Sequence, residues 1–342
     1  MKHKSFFWFV FPSAIAMILF IAAPIVSVLL QSVYAPHEQV IIVTENCGPF
    51  GCTEATAVDQ EATRELWEEQ PLGRFVGSEI YLNRNHLATA ELGEAWQAST
   101  GIGDFIDKML NLPFYGALAF TLTYTAVVTP LAMAFGFLIA VTVNGLPKLL
   151  RGPTIFFSLL PMIVTPLVGA LILFWMIDAR GILGSALQAI AGDPNLSLKA
   201  STPLTWIMLM VYGIWSSAPF AFVIYYAGLQ TVPKDTLESA MIDGATRWER
   251  IRFVVLPHLV PLTTFMALIK IMDNFRVFEP IVSFEAQAHA QSLSYFIFQD
   301  LGGETRLLSS AAATSVLTIV GVAILLSPVL VRTWRDYGRR AA

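Results

Sequence analysis

Five polar side chains that a bilayer resists stand close together in one apolar run: Lys270, Asp273, Asn274, Arg276 and Glu279. Each costs about 2.5 to 3.5 kcal/mol to insert near the centre of a span, so they must face a cavity or one another. Asp273 and Arg276 are three residues apart, as are Arg276 and Glu279, and at that helical spacing opposite charges can pair on one face. The preceding apolar run mixes rings and hydroxyls in Tyr212, Trp215, Ser216, Ser217, Tyr225 and Tyr226. Such a mixture suits stacking on a sugar face while hydrogen-bonding its hydroxyls. Tyr225 and Tyr226, near the end of their run, fit an interfacial aromatic belt better. Pairing within the helix and contact with a ligand both remain open for the charged set.

Other chemistry is not encoded in recognisable form. No Gly-x-x-x-x-Gly-Lys-Ser/Thr occurs, so any ATP hydrolysis must come from a partner. No Gly-x-Ser-x-Gly elbow or His-Glu-x-x-His helix is present, and we expect no catalytic residue in this chain. His3, His37, His86, His258 and His289 are scattered without ligand spacing, so no metal site is expected. The two cysteines stand in Cys47-Gly48-Pro49-Phe50-Gly51-Cys52. The glycines and proline permit a tight loop, and a structural disulfide is expected if the loop faces an oxidising compartment. The spacing is not the C-x-x-C of a redox pair.

The elements that carry these residues follow from composition. Of 342 residues 55% are hydrophobic and 13% charged, too apolar a balance for a soluble chain of this size. The formal charge of −4 and the lack of a basic, aromatic-interleaved patch set nucleic acid aside. The apolar residues arrive in six blocks, about Phe6 to Val33, Phe114 to Val143, Pro153 to Ile177, Leu204 to Leu229, Pro261 to Phe284 and Ser309 to Val331. A hydrocarbon core about 30 Å thick asks for roughly twenty residues per helix, so the fold class is an all-α polytopic membrane protein with six spans. Pro24, Pro130, Pro166 and Pro219 are expected to kink their helices.

Short cytoplasmic loops retain Lys and Arg. One side collects Lys2 and Lys4, Lys148 and Arg151, Lys234, Arg247, Arg250 and Arg252, and Arg332, Arg335, Arg339 and Arg340. That assignment puts both termini in the cytoplasm. The first block, 1–33, has a rival reading as a signal peptide, but it is about twice the length of such an apolar core and lacks a small-x-small cleavage site, so a retained helix is expected. Residues 34–113 then form an extracytoplasmic lobe, too long for a plain connection. Glu61 to Gln70 and Leu87 to Ala98 read as helices, anchored by Leu66, Trp67, Leu87, Leu92 and Trp96. Its acids, among them Glu61, Glu65, Glu68, Glu69, Glu91, Glu94, Asp104 and Asp107, outnumber Arg64, Arg74, Arg84 and Lys108. A solvated surface explains that excess as well as a docking face does. Residues 114–342 make up the core.

Within the core, the loop 230–260 is the most informative stretch. Pro233 suits an early helical position, Leu237 and Met241 share a face, and Gly244 can end that helix in a left-handed conformation. Thr246 with Glu249 then makes a capping box, Trp248, Ile251 and Val255 share a face, and Pro257 is expected to stop the run. A basic, amphipathic helix pair of this kind could lie on anionic lipid.

The loop also resembles something more specific. Glu238-Ser239-Ala240, Asp243-Gly244-Ala245 and Leu256-Pro257 match in order and spacing the coupling-loop signature of ABC import permeases. Ser239 replaces the family's alanine, small for small. The resemblance extends over about Phe114 to Arg340 and is closest to the first permease of maltose-type carbohydrate importers. It implies that this segment docks on a partner ATPase dimer, with Glu238 as the ionic contact and Gly244 as the bend. It implies that the chain itself binds no cofactor, ATP and Mg²⁺ being held by that ATPase. It further implies a second permease as heterodimer partner, an extracytoplasmic solute-binding protein, a bacterial inner-membrane location and alternating access. Because the corresponding stretch lines the path in such permeases, Asp273, Asn274, Arg276 and Glu279, with Tyr212, Trp215 and Ser216, are the expected path residues. The cargo implied is a sugar or sugar derivative. The loop does not distinguish that from a polyamine, an anion or an amino acid, and an ATP-independent carrier or membrane enzyme that happens to carry it is the more distant alternative.

Overall fold

A computed structural model describes residues 2–37, 40–48, 51–302 and 306–341. Among these residues six helices are long and apolar enough to cross a membrane: Trp8–Gln31, Pro113–Gly145, Pro166–Ala191, Thr202–Leu229, Arg247–Phe275 and Leu308–Val331. The chain divides into two compact units, 1–116 with 296–320, and 117–295 with 321–342.

The first unit opens with α1 (Lys2–Met17) and α2 (Ala23–Gln31), joined without a break by a π-turn at Ile18–Ala22. Large apolar side chains such as Phe9 and Phe20 lie exposed along it, as they do where lipid is the solvent. After it come β1 (Tyr34–Ala35), β2 (Ile41–Gly48), β3 (Gly51–Val58), α3 (Gln60–Glu69), β4 (Arg74–Phe75), α4 (Glu79–Leu82), α5 (Thr89–Gln97) and α6 (Ile102–Leu110). The two expected lobe helices are α3 and α5. Asp59 caps α3, its carboxylate accepting from the Glu61 and Ala62 amides at 3.1 and 3.0 Å.

The β2–β3 hairpin is a feature that the helical reading of the lobe did not contain. β2 and β3 pair antiparallel from Ile41↔Val58 to Gly48↔Gly51. Its strand signal, Ile41-Ile42-Val43 and Thr53 to Val58, is short. Cys47 and Cys52 are direct ladder partners in the backbone, but their side chains, and so the expected disulfide, lie outside the described residues.

His86 ties this lobe to the last membrane helix of the same unit. It is fully buried, with Nδ1 at 2.8 Å from Asn83 Oδ1 and Nε2 at 3.1 Å from both Ser310 O and Thr314 Oγ1. Burial holds its pKa below the usual imidazole value of 6.5. The folded state therefore holds a neutral ring where the unfolded chain is protonated, so this stabilisation is complete above about pH 6.5 and is lost as pH falls below it. Amide exchange across α4 and α5 is expected to accelerate between about pH 7.5 and 5.5 in the wild type and much less in a His86→Gln chain. Equal acceleration in both would show that His86 does not set the lobe's stability.

The second unit is helical throughout: most of α7 (Pro113–Gly145), then α8 (Lys148–Ile163), α9 (Pro166–Ile177), α10 (Ile182–Ala191), α11 (Thr202–Leu229), α12 (Lys234–Ile242), α13 (Arg247–Arg250), α14 (Leu256–Phe275), α15 (Glu279–Ser283) and the first residues of α16 (Leu293–Gly302). The tail of α17 (Leu308–Ala341) completes it. Two clusters form its core. One gathers Phe120, Tyr124, Val128, Ala170, Leu209, Tyr212, Ile281 and Phe284, and the other Ala140, Val143, Ala221, Phe222, Tyr225, Leu259 and Met266. Small residues let α7 and α11 approach closely at Gly136, opposite Ala218 and Ala221.

Three expectations about boundaries are corrected. The expected third span, Pro153 to Ile177, is two helices, because Thr165 precedes Pro166 and takes extended ψ of 144° rather than a helical value. The hydrophobic stretch instead continues from α9 into α10, a helix not anticipated. The expected fifth span to Phe284 ends at Phe275, Arg276 acting as its C-cap, and Glu279 begins a separate short helix. Finally, Pro257 does not stop the run. A π-turn at Ile251–Val255 carries the helix from α13 into α14, loosening the turn around a residue that has no amide hydrogen to give.

Candidate functional site

The 233–257 segment folds as a bent helix pair. α12 is preceded by Pro233 and ends at Asp243, after which Gly244 adopts φ of +79°, a conformation natural to glycine. The Gly244 amide donates to Met241 O at 3.1 Å and the Ala245 amide to Ala240 O at 2.9 Å, which ties off the last carbonyls of α12. Thr246 then restarts the chain with both halves of the capping box: its amide donates to Glu249 Oε2 at 2.7 Å and its hydroxyl oxygen accepts from the Glu249 amide at 3.3 Å. The reading of a short helix, a glycine bend and a capped second helix is met element by element.

What the pair presents is unusual for a loop. Ile242 is 87% exposed, Trp248 65%, and Met241 and Phe253 are also uncovered. Glu238, Ser239, Asp243 and Gly244 are exposed beside them, while Ala240 and Ala245 are half-buried and Leu256 and Pro257 lie exposed on the continuing helix. An exposed apolar patch rimmed by acidic and basic groups is the kind of surface that meets a protein partner or a membrane. The pair is held against the unit by Leu237, packed on the second core cluster, and by the Thr231 hydroxyl at 3.0 Å from His258 Nε2.

The expected path residues separate into two kinds. Asn274 is buried and its amide donates to Thr129 Oγ1 on α7 at 2.9 Å, joining two membrane helices. Tyr212 is 2% exposed, and its hydroxyl donates to Pro166 O at 2.6 Å, tying α11 to the first turn of α9. Trp215 is exposed, with its ring tilted on Tyr212 at 6.0 Å between centroids, and the Ser216 hydroxyl is directed back to Gly213 O. Asp273, Arg276 and Glu279 are exposed, available to line a cavity. Asp273 lies 3.6 Å from Lys270 Nζ and 3.8 Å from Arg276. Arg276 and Glu279, expected three apart on one helix, fall on either side of the break after Phe275, and among the described residues they form no ion pair.

Lys270 is the residue that spacing alone did not single out. Its ammonium stands 4.6 Å from the centroid of the Phe220 ring on α11 and pairs with Asp273, so a cation is held between α11 and α14 at membrane depth. The signal in the sequence was its charge inside an apolar run; the missing information was Phe220, fifty residues earlier, which only packing brings near. Among the described residues no group of His, Cys, Asp and Glu is placed to hold a metal ion.

Comparison with known proteins follows this geometry. The family model described as "Binding-protein-dependent transport system inner membrane component" matches residues 113–334. A probable ABC transporter permease protein, y4oQ of Sinorhizobium fredii, is 28% identical over 248 residues, covering 69% of this chain and 76% of that one. The sn-glycerol-3-phosphate transport system permease protein UgpA of Rhizobium meliloti is 26% identical over 233 residues, covering 66% and 77%. Among solved structures, a bacterial ABC transporter involved in the import of the acidic polysaccharide alginate superposes with a TM-score of 0.60 at 22% identity, covering 75% of this chain and 91% of that one.

Proposed function

Because the chain belongs to the family of binding-protein-dependent transport system inner membrane components, and is therefore an ABC importer permease of the inner membrane, we propose that it forms half of the pathway for a sugar or sugar derivative. The observation that carries the coupling part of this reading is the bent pair α12–α13, with uncovered Ile242 and Trp248 beside Glu238. In this reading the pair seats in a partner ATPase dimer, Glu238 making the ionic contact and Gly244 setting the angle. The Lys and Arg distribution puts that pair and both termini in the cytoplasm and the 34–113 lobe outside. ATP and Mg²⁺ act in the ATPase, a second permease supplies the other half of the path, and an extracytoplasmic binding protein delivers cargo. Closure of the ATPase dimer moves the pair as a lever and opens the path outward; hydrolysis resets it. The chain performs no catalysis of its own.

Support for the cargo class comes from the sn-glycerol-3-phosphate and alginate systems among its relatives and from the rings and polar groups at Trp215, Asp273, Arg276 and Glu279. The test is reconstitution of this chain with its sister permease and ATPase, measuring ATP hydrolysis with the binding protein loaded with different solutes. Stimulation by a sugar-loaded binding protein is expected; stimulation only by an amine- or amino-acid-loaded one would replace the cargo class, and assembly without an ATPase would remove the coupling reading. Asn274→Leu is expected to lower uptake severalfold, because the buried Thr129 hydroxyl loses its donor and α14 shifts against α7, at about 1 to 3 kcal/mol for the stranded group. Unchanged uptake and unchanged thermal stability would leave Asn274 with neither role.

A further inference from the structure

A cavity lies in the 117–295 unit, and the Lys270–Asp273–Arg276 set is not among its walls. It has a volume of about 130 Å³ and is walled by Phe174 at the end of α9, Lys199, Thr205 in the first turn of α11, and Phe284, Glu285 and His289 from the turn after α15. Two of its features lack an explanation in packing, and a third limits the ligand it can take. Thr205 is 6% exposed, and its Oγ1 has no hydrogen-bond partner, although a stranded buried hydroxyl is costly. Glu285 sits at the exposed rim with φ of +49°, a left-handed conformation that side chains other than glycine adopt only under constraint. Lys199 is already satisfied, 3.1 Å from Asp178 Oδ2 and 3.2 Å from the Phe174 ring centroid, so its charge is not left to attract an anion.

We propose that this cavity is a binding site for a single neutral sugar ring at the outward end of the second unit, with the Thr205 hydroxyl and the Glu285 carboxylate as its hydrogen-bonding groups and Phe284 as its apolar wall. The ligand class rests on the cargo reading above. Size sets one limit: a dry cavity of about 150 Å³ admits benzene, so 130 Å³ encloses only part of one sugar ring, whose remaining hydroxyls project through the open rim, and excludes a chain of rings. Charge sets the other. With Lys199 neutralised by Asp178, the uncompensated group at the rim is Glu285, which accepts hydrogen bonds from hydroxyls and repels carboxylates and phosphates. The site thus holds the end of a saccharide before it reaches the central groups on α14.

The test separates ligand binding from structure, because structure alone makes both informative variants harmless. Thr205→Val removes a hydroxyl that nothing in the protein uses, and Glu285→Gly removes a strained side chain. The assembled transporter in lipid nanodiscs is treated with an acetylating reagent, and the rate at Lys199 is read by mass spectrometry against Lys108 as internal reference, with glucose, maltose or glucuronate added. Glucose and maltose are expected to protect Lys199. The half-protecting concentration should rise about fivefold in Thr205→Val and about tenfold or more in Glu285→Gly, with unfolding midpoints equal to or above wild type. Protection that is the same in the variants as in the wild type would overturn this site while leaving the cargo reading standing. No protection by any sugar, in a transporter that does import sugar, would overturn the site as well. Stronger protection by glucuronate than by glucose would overturn the neutral-ligand assignment, and a transporter that neither imports nor binds sugars would end both.

Discussion

Gly244→Pro is expected to abolish ATP-driven uptake while leaving the chain inserted and assembled. At φ of +79°, Gly244 turns the chain from α12 into α13 and gives its amide hydrogen to Met241 O. Proline fixes φ near −65° and has no amide hydrogen, so the turn must be rebuilt at a local cost of about 3 kcal/mol or more. The spans are remote from this change, but the angle between the two helices, and with it the placement of Glu238, Ile242 and Trp248, is not. Gly244→Ala makes the comparison quantitative. A β-carbon there meets nothing within 4 Å, so only the left-handed penalty of about 1 to 2 kcal/mol applies, and the bend is weakened without being forbidden. Uptake should fall in the order glycine, alanine, proline, while detergent-extracted chain stays constant. Glu238→Lys, which leaves the bend intact and reverses one exposed charge, should reduce ATPase association without altering the helix pair. Wild-type uptake by both Gly244→Pro and Glu238→Lys would take the coupling role away from this segment.

Gly136→Val is expected to have the largest effect on the chain itself, loss of folded permease from the membrane. A β-carbon at 136 would lie 2.5 Å from Ala221 Cβ, 2.7 Å from Phe222 N and 2.8 Å from Ala218 O. Two of those are backbone atoms of α11 and cannot rotate away, so α7 and α11 must separate along a contact that the second core cluster depends on. Overpacking of this kind costs about 1 to 3 kcal/mol per site and more when a helix has to move. In a bilayer, where close van der Waals contact rather than water exclusion drives helix association, that loss is not recovered elsewhere. Gly145→Val on the same helix meets nothing within 4 Å and should assemble normally. Size-exclusion recovery of the two variants checks this: equal recovery would mean that α7 and α11 do not approach as closely as described.

These two glycines show how unevenly the molecule was legible from its sequence. Gly244 could be assigned its bend at sight, because the residues that decide its conformation are its own neighbours: a helix ending before it and a capping box two residues after it. Gly136 carried no such signal, since what it touches is some eighty residues away on α11. The same division runs through the expected path residues. Charge in an apolar run was enough to mark Lys270, Asp273, Asn274, Arg276 and Glu279. Whether each faces a cavity or a neighbour depended on partners from other helices: Thr129 for Asn274, Phe220 for Lys270 and Pro166 for Tyr212.

By itself the sequence determined that the chain spans a membrane six times and carries a capped, bent helix pair, because hydropathy, caps and a left-handed glycine are decided by residues within one or two turns of each other. The tertiary structure decided where α9 begins, that Pro257 is absorbed in a π-turn, that α14 ends before Glu279, and which polar groups remain open. Those outcomes are set by packing between helices distant in sequence, where a buried polar group must find its partner, and no periodicity along one helix specifies which partner that is.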